Sequence, residues 1–122
     1  MANDYDTTAR NAGVDAIAAL VTRLALHTGD PGGANLANNE VAGGSPAYAR
    51  KAVAWNAASG GAATQNGDVV FDVPAATVAW VSGWNTAGTV RYFKKDVTDE
   101  VFAAQGTYTV QGTTSSLDLN DP

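Results

Sequence analysis

A chain of 122 residues with a single histidine and no cysteine has few routes to acid–base or nucleophilic chemistry. Any Ser-His-Asp arrangement would have to run through His27, with Asp30 and Ser45 as the nearest partners along the chain. No G-x-S-x-G nucleophile elbow is present, and the order His, Asp, Ser carries no geometry. The plainer reading is a strand-end histidine bonded to nearby backbone, so no catalytic residue is assigned and no enzyme is expected. Asp30, Asn35, Asn38, Asn39 and Glu40 place hard oxygen ligands on one loop, as Ca²⁺ would require. Their spacing departs from an EF-hand loop, and asparagine-rich turns are common without metal. Neither a metal nor a cofactor is assigned. Gly32-Gly33 and Gly43-Gly44 lack the lysine and the following helix of a phosphate loop, and serve turns instead.

Aromatic rings offer a different chemistry, because sugars stack on exposed ones. Trp55, Trp80, Trp84, Tyr48, Tyr92, Phe93 and Tyr108 are the available rings. Trp80 and Trp84 share a strand face and are assigned to the core, since large aromatics seldom stay fully exposed. Tyr48 and Tyr92 remain as candidate contacts for a host-surface glycan. Arg91, Lys94 and Lys95 crowd one short strand. Lysine on an edge strand deters unwanted pairing, and these three could equally bridge to a neighbouring subunit, so they are candidate partner contacts.

Composition narrows the classes further. The formal net charge is −5, from 7 Lys+Arg against 12 Asp+Glu, which argues against a nucleic-acid-binding module with its basic stripe. Charged residues make up only 16% of the chain, and small neutral polar residues take their place, a texture seen in extracellular and virion β-proteins. No apolar stretch reaches membrane-spanning length, so no membrane partner is expected. The N-terminus lacks a basic n-region and an apolar h-region, so synthesis and assembly in the cytoplasm are expected. Large apolar residues are scarce, with three Trp, three Phe and four Tyr. A core that thin favours a compact β-sandwich, or a module that gains stability by pairing with neighbouring subunits.

The elements that must position these residues follow from periodicity. Val14, Ile17 and Val21 recur at helical spacing after a capping Thr7 or Thr8, predicting a helix over about 8–20 with Gly13 as a weak point. Residues 1–20 are read as a helical arm whose apolar side (Val14, Ile17, Val21) meets a partner. The switch to strand is placed near Val21. Asp30-Pro31-Gly32 is a turn, with proline fixing φ and glycine accepting a positive φ. Residues 33–44 form a loop, and 48–55 alternate as a strand with Val53 and Trp55 inward. A loop is expected over 56–67. Strands follow at 68–73, 77–84 and 89–95, the last two joined by a hairpin turn at 85–88. A connection with one helical turn is expected over 96–105, then strands at 106–112 and 115–119 and a tail at 120–122. The whole predicts an all-β antiparallel sandwich, jelly-roll-like, of about seven short strands with a short N-terminal helix. It divides as 1–20 arm and 21–122 domain.

The opening strings carry a likeness. Leu26-His27-Thr28-Gly29-Asp30-Pro31-Gly32, then Asn39-Glu40-Val41-Ala42-Gly43-Gly44, then Tyr48-Ala49-Arg50-Lys51-Ala52-Val53 resemble a family of small tailed-bacteriophage virion proteins of LHTxDPG…NEVxGGxYxR type. Phe71-Asp72-Val73-Pro74 and the Trp84-to-Gly88 turn resemble its second half, so the likeness covers about residues 20–112. Pro46 and Ala47 are inserted between the paired glycines and Tyr48. The resemblance implies a non-enzymatic structural protein in the virion, with major capsid or tail proteins and copies of itself, as a trimer, for partners. Head decoration is the reading preferred, because the chain has no shaft, heptads or fibrous repeat. A minor tail or tail-fibre component and a carbohydrate-binding adhesion module are the alternatives.

Overall fold

The computed structural model describes residues 5–112 and 115–118. Helix α1 (Thr7–Leu20) begins after Asp6, whose extended backbone forms the N-cap without a side-chain cap bond. The expected threonine cap lies one position inside the helix. It stops at Val21, where the backbone turns to φ −85° and ψ 95° while its N–H still donates to Ile17 O. The switch therefore falls where the residue pattern places it.

Among the described residues eight strands follow: β1 (Arg23–His27), β2 (Lys51–Ala52), β3 (Ala62–Thr64), β4 (Val69–Val73), β5 (Ala76–Trp84), β6 (Arg91–Phe102), β7 (Gly106–Val110) and β8 (Ser116–Asp118). All pairings are antiparallel. One four-stranded sheet runs β2-β1-β5-β6, and two ladders, β3-β8 and β4-β7, lie apart from it. This is the all-β sandwich with an N-terminal helix that the alternation predicts. Leu24, Leu26 and Val81 of the large sheet meet Val69, Phe71, Val73 and Val110 of the β4-β7 ladder in one core. Residues 119–122, including the expected tail, lie outside the described residues, as do residues 1–4 of the arm.

α1 lies on the chain's own sandwich against β3 and β8. Asp15 Oδ1 accepts from Ala58 N at 2.8 Å, and Asn11 Oδ1 accepts from Gly61 N at 2.8 Å. Val14 and Val21 have no exposed surface, and Ile17 packs half-buried against the core. Val14 and Val21, read as partner contacts, are thus spent on the chain's own core, while Ile17 keeps part of its surface.

Three stretches differ from the sequence reading. Of 48–55, only Lys51–Ala52 form strand, because Tyr48 and Arg50 turn their side chains to Glu40. Within 56–67, β3 forms after the turn at Gly60 and Gly61, whose φ values are +62° and +83°. Over 96–102 the predicted connection is a continuation of β6, held by the long partner strand β5. That ladder is interrupted: Val78 faces Glu100 and Trp80 faces Asp96, so residues 97–99 bulge opposite Ala79.

Gly83 illustrates how closely β5 and β6 approach. It pairs with Phe93 across the ladder, and a Cβ there would lie 2.1 Å from Phe93 Cε2. The ring lies over the glycine, filling space that a side chain would occupy. Gly83→Ala is expected to destabilise the fold by about 1–3 kcal/mol through overpacking. Urea denaturation checks this, and Phe93→Leu in the same background should recover part of the loss.

Candidate functional site: a polar relay beneath the 28–50 loop

The second face of the large sheet, opposite the core, is covered by residues 28–50. β1 is therefore buried along Leu24–His27 on both sides. Residues 39–41 run beside β1: Thr28 N donates to Asn39 O at 2.8 Å and Val41 N to Leu26 O at 3.0 Å. Glycine and asparagine shape this cover. Gly32 has φ +98°, while Asn35 and Asn39 have φ +61° and +60°, a region that asparagine tolerates better than most residues. Gly32 N closes the turn on Asp30 Oδ1 at 2.9 Å.

His27 sits at the centre with no exposed surface. Its Nδ1 lies 3.0 Å from Asn38 O and its Nε2 2.7 Å from Ser82 Oγ. A carbonyl only accepts, so Nδ1 carries the proton and Nε2 of the neutral ring accepts. Trp84 Nε1, which only donates, reaches the same Ser82 Oγ at 2.7 Å. The chain of donation is therefore fixed: Trp84 indole to Ser82 hydroxyl to His27 to nothing further than the Asn38 carbonyl. Every polar hydrogen in it has an acceptor.

A second cluster abuts the first. Arg50 grips Glu40 with two bonds, Nε to Oε2 and Nη2 to Oε1, each 2.9 Å. Its guanidinium lies 4.1 Å from the Trp84 ring centroid, a cation–π contact. Tyr48 donates to Glu40 Oε2 at 2.9 Å and accepts Leu26 N at 2.9 Å. Its ring stacks on Phe71 with centroids 6.1 Å apart. The Tyr48 hydroxyl thus satisfies a β1 amide in the gap between residue 41 and β2. Burial pushes the Tyr48 phenol well above its ordinary pKa, and Glu40 adds to the shift. Burial alone would raise Glu40, but the bonds from Arg50 and Tyr48 outweigh it and hold the carboxyl below its usual value.

Arg91 and Lys94 fasten the far end of the loop. Arg91 donates from Nη2 to Gly32 O at 2.9 Å and Gly33 O at 2.8 Å, from Nη1 to Leu36 O, and from its backbone N to Asn35 Oδ1 at 2.9 Å. Lys94 Nζ bonds Asp30 Oδ1 at 2.7 Å and Gly32 O at 3.1 Å. That lysine lies 5.5 Å from the Trp80 centroid, and its bond to Asp30 holds the carboxyl below the usual range.

These placements sort the residues singled out by type. Arg91 and Lys94 act within the protomer, while Lys95 is exposed. His27 bonds neither Asp30 nor Ser45; Ser45 N is held by Gln105 Oε1 at 3.0 Å. The loop oxygens of Asp30, Asn35 and Glu40 engage Lys94, the Arg91 amide and Arg50. Tyr48 is enclosed by its partners rather than presented as a platform, whereas Tyr92 is 36% exposed. Trp84 is a core residue at 2% exposure. Trp80 is half-buried beneath Lys94. Ser82 is the member that residue type did not reveal, since a lone serine in an apolar strand carries no distinguishing signal. Separately, a cavity of about 390 Å³ opens between β6 and β7, with Trp55, Phe93 and Tyr108 in its walls. Neither glycan candidate lines it.

Burial lowers the His27 pKa below 6.5, with Arg50 and Arg91 adding to the fall, against the opposing Asn38 bond and Glu40 charge. The unfolded ring then binds its proton at higher pH than the folded one, so stability rises with pH between the two values. The fold should be insensitive to this group above pH 6.5 and lose stability as pH falls from 6.5 to the folded-state value. Urea midpoints between pH 8 and pH 5 check the prediction, and His27→Gln should flatten the dependence in that window.

Together, fold and site define a small all-β module whose polar side chains lock a surface loop onto the large sheet. The chain belongs to the family described as Podophage GP4 fiber I protein gp80, which it matches over residues 6–115. It is thus a structural protein of a tailed-phage virion family. No curated protein and no solved structure matches it.

Proposed function

We propose that this chain is a non-enzymatic component of a podophage tail fibre, assembled with other virion proteins through its outer surface. The observation that carries the proposal is the family match over residues 6–115, whose description names a fibre. That description favours the tail-fibre alternative over the head-decoration role preferred from the sequence.

The site supports the non-enzymatic part. The one imidazole is sealed from solvent, with both ring nitrogens occupied. Arg50, Arg91 and Lys94 are bound to loop carbonyls and carboxylates. A loop held in this way suits a particle component that must keep its surface shape outside the cell.

Gold-labelled antibody against the folded domain, applied to intact particles under the electron microscope, tests the placement. Label on the fibres is the expected result. Label spread over the head would overturn the fibre assignment in favour of decoration.

A further inference from the structure

The cavity between β6 and β7 plays no part in the network that locks the loop. It holds about 390 Å³, within the range of sites for small molecules. Trp55, Phe93 and Tyr108 stand in its walls, each partly buried against the core. The Trp55 indole N–H is already given to Val21 O at 3.0 Å, so this residue offers the cavity its ring. Gln65 also lines it, with 3% of its surface exposed. Both of its amide hydrogens are donated, to Gly67 O at 2.8 Å and Val110 O at 2.9 Å. Its Oε1 is left a buried acceptor without a donor among the described residues.

We propose that this cavity binds a pyranose sugar carrying a carboxylate, a glycosidically linked hexuronate. The register of β5 and β6 supplies the charge that recognises it. Val81 faces the core and pairs with Lys95, and directly paired residues project to the same face of a sheet. Lys95 therefore projects to the cavity side, as Phe93 does two residues before it. Lys94 and Asp96 pair with Ser82 and Trp80 and project to the opposite face, where Lys94 holds Asp30. Asp96 thus gives the wall its main chain and not its carboxylate. Glu100 returns to the core side beyond the bulge, opposite Val78, and stands outside the cavity walls. Lys95 takes no part in the ion pairs among the described residues, which are Arg50–Glu40 and Lys94–Asp30.

An ammonium at the mouth selects an anion, and a carboxylate meets it through short, charge-assisted bonds. Aromatic walls select a flat face of C–H groups. The remaining wall is polar: Thr98, Thr109 and Ser116 belong to it, and no described strand pairs with the outer side of β6 or the free side of β7. Main-chain donors and acceptors at these open edges need a ligand that can both donate and accept, as hydroxyls do. A hydroxyl brought to the inner wall would also relieve the Gln65 acceptor, whose unmet state is costly. A plain aromatic carboxylate would suit Lys95 and the rings but leave the polar groups unpaired. The site does not depend on whether the chain sits on a fibre or the head.

NMR titration of the ¹⁵N-labelled chain tests this with methyl β-glucuronide, methyl β-glucoside and benzoate. The glucuronide should shift the Trp55 indole signal and the amides of 95–98 and 108–111 together, saturating with a Kd on the order of millimolar. The glucoside has the hydroxyls without the charge, and benzoate the charge without the hydroxyls. Each should bind at least about tenfold more weakly. Lys95→Ala should reduce the glucuronide to the affinity of the glucoside, and Lys95→Arg should restore most of the difference. The side chain is exposed, so both variants should fold, which circular dichroism checks. No saturable shift with the glucuronide, an equal response to the glucoside or to benzoate, or wild-type binding by Lys95→Ala would each overturn the proposal.

Discussion

Trp84→Ala is expected to cost the fold about 3–5 kcal/mol, the range for truncating a large buried aromatic. The side chain is 2% exposed and performs three tasks at once. It fills the space beneath the 28–50 loop, carries Arg50 on its face at 4.1 Å, and donates its indole N–H to Ser82 at 2.7 Å. Removing it opens a cavity and frees the guanidinium that holds Glu40. Trp84→Phe keeps an aromatic face but loses the indole N–H and some volume, so a smaller cost of about 1–3 kcal/mol is expected. Urea denaturation followed by circular dichroism measures both. A loss under about 1 kcal/mol for the alanine variant would mean that the loop is not held through this ring.

Ser82→Ala removes a single oxygen, yet about 2–4 kcal/mol is expected. The hydroxyl accepts from Trp84 Nε1 and donates to His27 Nε2, and Ser82 itself has no exposed surface. Its loss strands a buried donor and a buried acceptor, at about 1–3 kcal/mol each. Unlike the tryptophan change, this one removes almost no apolar packing, so the cost reports the relay alone. A double-mutant cycle with His27→Leu should be non-additive, because the leucine removes one of the groups that the alanine strands. Additive losses would show that the two bonds do not act as a unit.

Some of this was legible in residue types. Asp30-Pro31-Gly32 announced a turn, and Gly32 adopts the positive φ that it requires. Val21 marked the end of the helix, and Trp84 read as core. These features are local or follow from a residue's size. What stayed hidden depends on contacts between distant segments. His27 and Ser82 are 55 positions apart, and Arg91 reaches Gly32 across 59. No spacing rule links such residues before the sheet brings them together. β3 reads as a loop because the strand its alanines and threonine pair with is the distant β8. The second half of β6 carries Asp96, Asp99 and Glu100, which read as a connection, yet β5 extends beside it and draws Asp96 and Glu100 into the ladder while Asp99 stays in the bulge.

The same distinction explains how chemistry-bearing residues were misplaced. Lys94 and Arg91 stood on a strand as though free for a partner, and Tyr48 as though free for a sugar. Their long side chains instead reach inward to loop carbonyls and carboxylates. Residue type identified which groups were chemically capable. The cover formed by residues 28–50 determined that they would be used internally.

The claim that the most reactive-looking residue is a structural one can be tested on His27 directly, because it is the only histidine in the chain. ¹⁵N chemical shifts of the imidazole, followed by NMR from pH 8 to pH 4, report both tautomer and titration. The account predicts a neutral ring protonated at Nδ1 at pH 7, with a titration midpoint below 6.5. A ring protonated at Nε2, or one titrating at 6.5 as in solution, would contradict it and return His27 to the list of groups able to act on a ligand.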